Sequence, residues 1–200
     1  MPTLAAVMGS VPFSPAGFEA VARGFASAPA GVVLLYHLTH WSYRQPISYL
    51  VTDAAGAELG RVGPPDEQTR TTSLLWVGAQ PVLVLTLDRR GNTTVSGAGG
   101  APVGSVRRRR ALLAYTMDLR LGDAPAGALE QPGLHTGPAV VRGPDGTPAA
   151  WLHRSGGRFA GAALSRLELT PAAAPVPGPL LLAVVPALDA FRRAVRSARQ

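Results

Sequence analysis

Cysteine and lysine are both missing from this 200-residue chain, and each absence removes chemistry. Without cysteine there is no disulfide, no zinc–thiolate centre and no thiol nucleophile. Without lysine there is no Walker A phosphate loop and no Schiff-base catalysis. Acidic residues number only 12, and they are dispersed rather than paired, so no spacing points to a two-carboxylate hydrolase. No G-x-S-x-G nucleophile elbow occurs. The run Ser96-Gly-Ala-Gly-Gly100 reads as a hairpin turn, because no helix-forming pattern follows it as a nucleotide cradle requires. The N-terminus carries no basic residue before Arg23, unlike a secretory leader, which points to a cytoplasmic protein in which the Asn92-Thr93-Thr94 sequon stays inert. The longest apolar stretch, residues 180–191, is interrupted by Pro186 and Asp189 and falls short of the about 20 residues that span a bilayer.

What is present is turn chemistry. Gly 23 and Pro 19 accompany a hydrophobic content of 46%, the composition of a folded domain with many turns. A phrase recurs, clearest in Asp53-Ala-Ala-Gly56-Ala-Glu-Leu59-Gly60-Arg-Val62 and again in Val103-Gly104-Ser-Val106. Looser echoes begin at Asp88, Asp118 and Asp145. Asp followed closely by Gly supplies the positive φ of tight hairpins, and each phrase adjoins apolar or branched runs. Strands are expected at residues 32–38, 47–51, 71–77, 82–87, 92–96, 103–107, 111–118, 139–142, 149–154 and 158–169, with a turn at 41–46 and a loop at 61–68. The glycines of these phrases, Gly56, Gly91, Gly100, Gly122 and Gly146, are unevenly spaced, which favours a closed barrel or sandwich of hairpins over a solenoid or propeller.

The ends of the chain read differently. Residues 1–30 form a helical lead: Ser14 as N-cap, Pro15 at N1, then Phe18, Val21, Ala22 and Phe25 on one face, ending at Ala28-Pro29. Residues 31–200 form the β domain, closed by a helix at 180–196. That helix is apolar nearly all round over residues 180–191, so it belongs inside the domain, not on its surface. Its one carboxylate, Asp189, needs a buried partner, and Arg192 or Arg193 stands at helical spacing.

The hairpin phrases at 53–62 and 103–106, followed by the hydrophobic end 180–191 with its single Asp, resemble the scramblase/LURP-one-related group with the tubby C-terminal-like fold. The resemblance covers about residues 31–195. It implies a mainly β fold, a closed antiparallel barrel of about twelve strands around a buried C-terminal helix. It also implies association with phospholipids or phosphoinositides. The chain has no cysteine-rich segment for palmitoylation, no lysine for a headgroup contact and no acidic calcium loop. The resemblance therefore carries the fold and not a scrambling activity.

All 19 basic residues are arginine, and the formal charge is +7. Two readings fit: a GC-rich coding bias, or attraction to phosphate-bearing partners. Arg107, Arg108, Arg109 and Arg110 form the sharpest local signal. Alternating strand faces would drive two of them into an apolar core, so they are expected in the connection between strands 103–106 and 111–117. As a candidate headgroup site they gain Arg192 and Arg193 if the chain's ends meet there, since guanidinium forks match phosphate oxygens. Nucleic acid is a poorer fit, because the aromatic interleaving of single-strand platforms is absent. His37 and His40 lie three apart on a strand and face opposite ways, so no metal site is expected, and no cofactor or catalytic set emerges. The expectation is a non-enzymatic barrel at an anionic membrane surface, with a protein-interaction module using the helix at 14–26 as the alternative.

Overall fold

The computed structural model describes residues 13–24, 29–40, 46–88, 90–109, 115–131, 138–155, 164–170 and 176–197. Twelve strands run in chain order: β1 (Val33–His40), β2 (Ser48–Thr52), β3 (Glu58–Gly63), β4 (Thr72–Val77), β5 (Gln80–Leu87), β6 (Thr93–Gly97), β7 (Pro102–Arg109), β8 (Tyr115–Leu121), β9 (Ala124–Gln131), β10 (Ala139–Arg142), β11 (Pro148–Ser155) and β12 (Leu164–Leu169). Each pairs antiparallel with its sequence neighbours, and β1 closes on β12 with Tyr36 opposite Ser165. Helix α1 spans Pro15–Ala22, and α2 spans Gly178–Ser197.

Two strands depart from the sequence reading. β3 occupies part of the loop expected at 61–68, and β9 had no expected strand. Glu58-Leu-Gly-Arg-Val-Gly and Ala124-Pro-Ala-Gly-Ala-Leu-Glu-Gln are rich in Gly and Ala and poor in branched residues, so local propensity is silent. Their small residues have a packing reason. A Cβ at Gly60 would collide with the Trp76 carbonyl and press on Phe18 of α1, and one at Gly127 would collide with the Arg142 carbonyl and touch Val176. The wall is thin where α1 and the residues just before α2 approach it.

The glycine spacing is also more regular than the phrases suggest. Gly56, Gly78, Gly100, Gly122 and Gly146, all at positive φ, lie 22, 22, 22 and 24 residues apart. The turn at Gly78 carries no Asp and escapes the phrase, whereas Gly91 belongs to the opposite end of the barrel, between β5 and β6. The period is one down-and-up crossing of the wall. Each of these five hairpins also holds a register shift, at Val51/Thr52, Leu75/Trp76, Val95/Ser96, Leu119/Arg120 and Val141/Arg142. Such bulges increase twist and bend the strand, which is what closure of a small sheet requires. Asp53 Oδ1 accepts from the amides of Ala55 and Ala57, both at 2.9 Å, as the phrase implied. Asp88 and Asp145 act alike in their turns, but Asp118 lies within β8, opposite Arg107.

The ends of the hairpins define one rim, and α1 lies over it. Ser14 caps α1 by accepting from the Gly17 amide at 3.1 Å, and Pro15 opens the helix as expected. The helix stops earlier than the sequence reading placed it, at Ala22, with Gly24 in the left-handed region. Phe25 lies outside the described residues. Phe18, Val21 and Ala22 join the same core as the barrel.

α2 threads the barrel. Leu180, Leu181, Leu182, Ala183, Val184, Val185, Ala187 and Leu188 are buried, and Phe191 nearly so. Pro186 sits inside the helix and cannot donate to the Leu182 carbonyl one turn back. The Tyr36 hydroxyl donates to that carbonyl at 3.0 Å, so the wall supplies the hydrogen bond that the proline removes.

Candidate functional site

α2 enters beside α1, where Gly178 packs against Val21, and ends at the opposite rim, where Phe191 and Ala194 lie against Gly91. This second rim carries the connections between β3 and β4 and between β5 and β6, and among the described residues its exposed charges are Arg70, Arg90, Arg107, Arg108 and Arg109, with Asp66, Glu67 and Asp88 beside them. Arg107, Arg108 and Arg109 are exposed and are not a connection: they complete β7. The expected steric objection fails because they lie where the apolar interior ends. Arg108 takes the inward face and places its guanidinium 5.2 Å from the centre of the Phe191 ring, a cation–π contact. Its backbone amide donates to Asn92 Oδ1 at 3.0 Å, tying β7 to the turn that holds Gly91. Arg107 takes the outer face and donates through Nε to Ser105 Oγ at 3.0 Å. Arg110 lies outside the described residues.

The structure brings Arg192 and Arg193 to the same rim but turns them into the wall. Arg192 Nη2 donates to Gln131 Oε1 at 2.7 Å. Arg193 is only 7% exposed, and its Nη2 reaches the Arg70 carbonyl at 3.5 Å. Burial holds the Arg193 guanidinium below its ordinary pKa. Two exposed cations that the sequence reading passed over stand here as well: Arg70 before β4 and Arg90 in the turn after β5. Their signal lay in position, since both fall in connections that alternate with the 22-residue glycine series.

Asp189 corrects another expectation. Its partners are not Arg192 or Arg193 but two wall residues, Tyr49 of β2 and Arg154 of β11, whose hydroxyl and Nη2 donate to its two carboxylate oxygens. The ion pair is buried, Asp189 being 2% exposed. Burial pushes the Tyr49 hydroxyl well above its ordinary pKa, and the adjacent carboxylate adds to that. A neutral tyrosine, an arginine and a carboxylate therefore lock the last turns of α2 to two separated strands.

The histidines do not converge. His37 Nε2 pairs with Thr52 Oγ1 at 3.0 Å, and His153 is exposed on β11. His40 edges an outer cleft of about 750 Å³ with Leu50, Arg61, Trp76 and Pro64, while His135 lies outside the described residues. Among the described residues no three metal-ligating side chains gather, and no helix is long and apolar enough to cross a membrane. Ser96–Gly100 forms the β6–β7 hairpin, with the Gly100 amide donating to the Gly97 carbonyl at 2.9 Å.

These features define a class: a closed, twelve-stranded antiparallel barrel threaded by one C-terminal helix. The X-ray structure of a protein from Arabidopsis thaliana is similar, with a TM-score of 0.61 and 18% sequence identity, over 92% of this chain and 99% of that one. At that identity the likeness shows the fold. No protein-family model matches the sequence, and no curated protein matches it.

Proposed function

We propose that this chain is a non-enzymatic barrel of the scramblase/LURP-one-related group that holds anionic phospholipid or phosphoinositide headgroups at a membrane surface. The observation that carries the reading is the exposure of Arg107, Arg108 and Arg109 on the rim that also presents Arg70 and Arg90. Each basic residue near an anionic leaflet contributes about 1 kcal/mol, so five on one rim act where one would not. The buried carboxylate Asp189 is committed to Tyr49 and Arg154 and does not face the exposed arginines as a free acid. The apolar side of α1 is spent on the barrel core, which favours this reading over a partner docked on that side.

Co-sedimentation at modest salt with neutral and with anionic phospholipid vesicles tests the proposal. Binding to anionic vesicles that fades as salt rises is expected. Equal pelleting with both kinds would overturn the headgroup reading.

A further inference from the structure

On the outside of the barrel, the strands β1 to β4 and the β3–β4 connection bound the open cleft of about 750 Å³, whose lining is mostly apolar. Small-molecule sites have volumes of about 300–1,000 Å³, apolar linings and a few placed polar groups. Register sets the middle of the cleft. Leu50 and Trp76 both stand opposite Arg61, so the three side chains share the outer face. Gly63 comes next on that face of β3. No positive φ calls for glycine there, and an added Cβ would approach only the Ser48 side chain, 3.0 Å from its Oγ. The missing side chain leaves the floor of the cleft bare.

Both signs of charge line this space. Arg61 Nε lies 3.6 Å from the Glu58 carboxylate, an exposed pair weak enough for an incoming carboxylate to displace. Asp66 Oδ1 accepts from the Thr69 hydroxyl and from the amides of Thr69 and Gln68. These bonds hold Asp66 below its ordinary pKa, so it stays a carboxylate, and they leave Oδ2 to meet a cation. A purely anionic ligand would meet Asp66 and Glu67, and a purely cationic one would meet Arg61. A ligand with one charge of each sign escapes both repulsions. Trp76, half-buried beside Leu50, offers it a flat apolar surface on which a ring can pack. We infer that the cleft takes a small aromatic zwitterion, its carboxylate on Arg61, its ammonium on Asp66 and its ring against Trp76 and Leu50. This is the chemistry of a free aromatic amino acid or of a short peptide containing one. The acidic residues of the connection repel polyanionic phosphate, so the cleft is separate from the exposed arginines that would meet headgroups.

NMR titration of the full chain tests this with four probes. L-phenylalanine and the dipeptide alanyl-phenylalanine carry both charges, 3-phenylpropanoate lacks the ammonium, and 2-phenylethylamine lacks the carboxylate. At least one zwitterion should bind roughly fivefold more tightly than either singly charged compound, the scale of one exposed ion pair. The tighter zwitterion tells a free amino acid from a peptide. Arg61→Ser should abolish the preference over phenylethylamine, and Asp66→Asn the preference over phenylpropanoate. Trp76→Leu should weaken every probe. Gly63→Leu fills the floor from outside the core and should block binding, while a cooperative melt shows that the barrel is intact. Equal affinity for all four probes would overturn the inference, since the cleft would then select only for an apolar ring. So would no binding of either zwitterion at millimolar concentration, or binding that survives both Trp76→Leu and Gly63→Leu.

Discussion

The two ends of the barrel are made by the same twelve strands, yet their cations behave in opposite ways. At the hairpin rim the chain turns within a few residues, and side chains bend back to serve the turns. Arg120 donates to the Asp123 carbonyl at 3.3 Å, Arg142 donates to the Gly146 carbonyl at 2.9 Å, and Asp53 holds two amides of its own turn. Helix α1 then covers this end. At the other rim the helix emerges, and Arg70, Arg90, Arg107, Arg108 and Arg109 are left exposed around it. At the hairpin rim these side chains serve the turns; at the other rim Asp66 and Asp88 serve turns too, but five arginines stay exposed.

The largest effect should come from removing what joins the two ends. Each large apolar side chain of α2 contributes about 1.5–3 kcal/mol on burial, and Leu180, Leu181, Leu182, Val184, Val185, Leu188 and Phe191 are all in the core. Their sum, about 10–20 kcal/mol, is as large as the roughly 5–15 kcal/mol by which a domain is stable. A chain truncated after Gly178 should therefore be insoluble or molten, seen as loss of cooperative melting. A cooperative fragment would mean that the two rims fold without their common axis.

Next come the locks at the arginine end. Asp189→Ala leaves the Arg154 guanidinium buried without its carboxylate and should cost about 3–5 kcal/mol. Tyr36→Phe leaves the Leu182 carbonyl without a donor and should cost about 1–3 kcal/mol. Denaturant unfolding measures both. If Asp189→Ala proves neutral, the triad is not what fixes the helix end.

Smaller again is the wall itself. Gly104→Ala would set a Cβ against the Arg120 carbonyl and Leu180, where overpacking costs about 1–3 kcal/mol. Gly99→Ala in the neighbouring turn meets open space and should change the denaturation midpoint little. Equal effects would mean that the helix does not press on the wall at β7.

How much of this was legible in the sequence follows from the range of the interactions. Ser14 capping α1, the Asp53 and Asp145 turns and the all-round apolar α2 were legible because each is settled within a few residues. β3 and β9 were not, since their Gly- and Ala-rich segments become strands only through ladders to β4 and β8. The 22-residue period was hidden because the Gly78 turn lacks Asp. Strand alternation excludes two arginines from an apolar core, yet Arg107, Arg108 and Arg109 belong to β7 because the core ends before them, and no local pattern marks where it ends. The partners of Asp189 lie on β2 and β11, far away in sequence, and no helical spacing could name them.

On the proposed reading, the position of the arginines, and not their number, sets the attraction to anionic headgroups. Two triple variants carry the same net charge: Arg107→Ser, Arg108→Ser, Arg109→Ser at the rim where α2 ends, and Arg61→Ser, Arg120→Ser, Arg166→Ser away from it. Their affinities for vesicles containing anionic phospholipid, compared with wild type at one salt concentration, decide the matter. At about 1 kcal/mol for each arginine near the surface, the rim variant should lose roughly a hundredfold in affinity and the other only a few-fold. Equal losses would contradict the account, because the attraction would then belong to the molecule's charge as a whole.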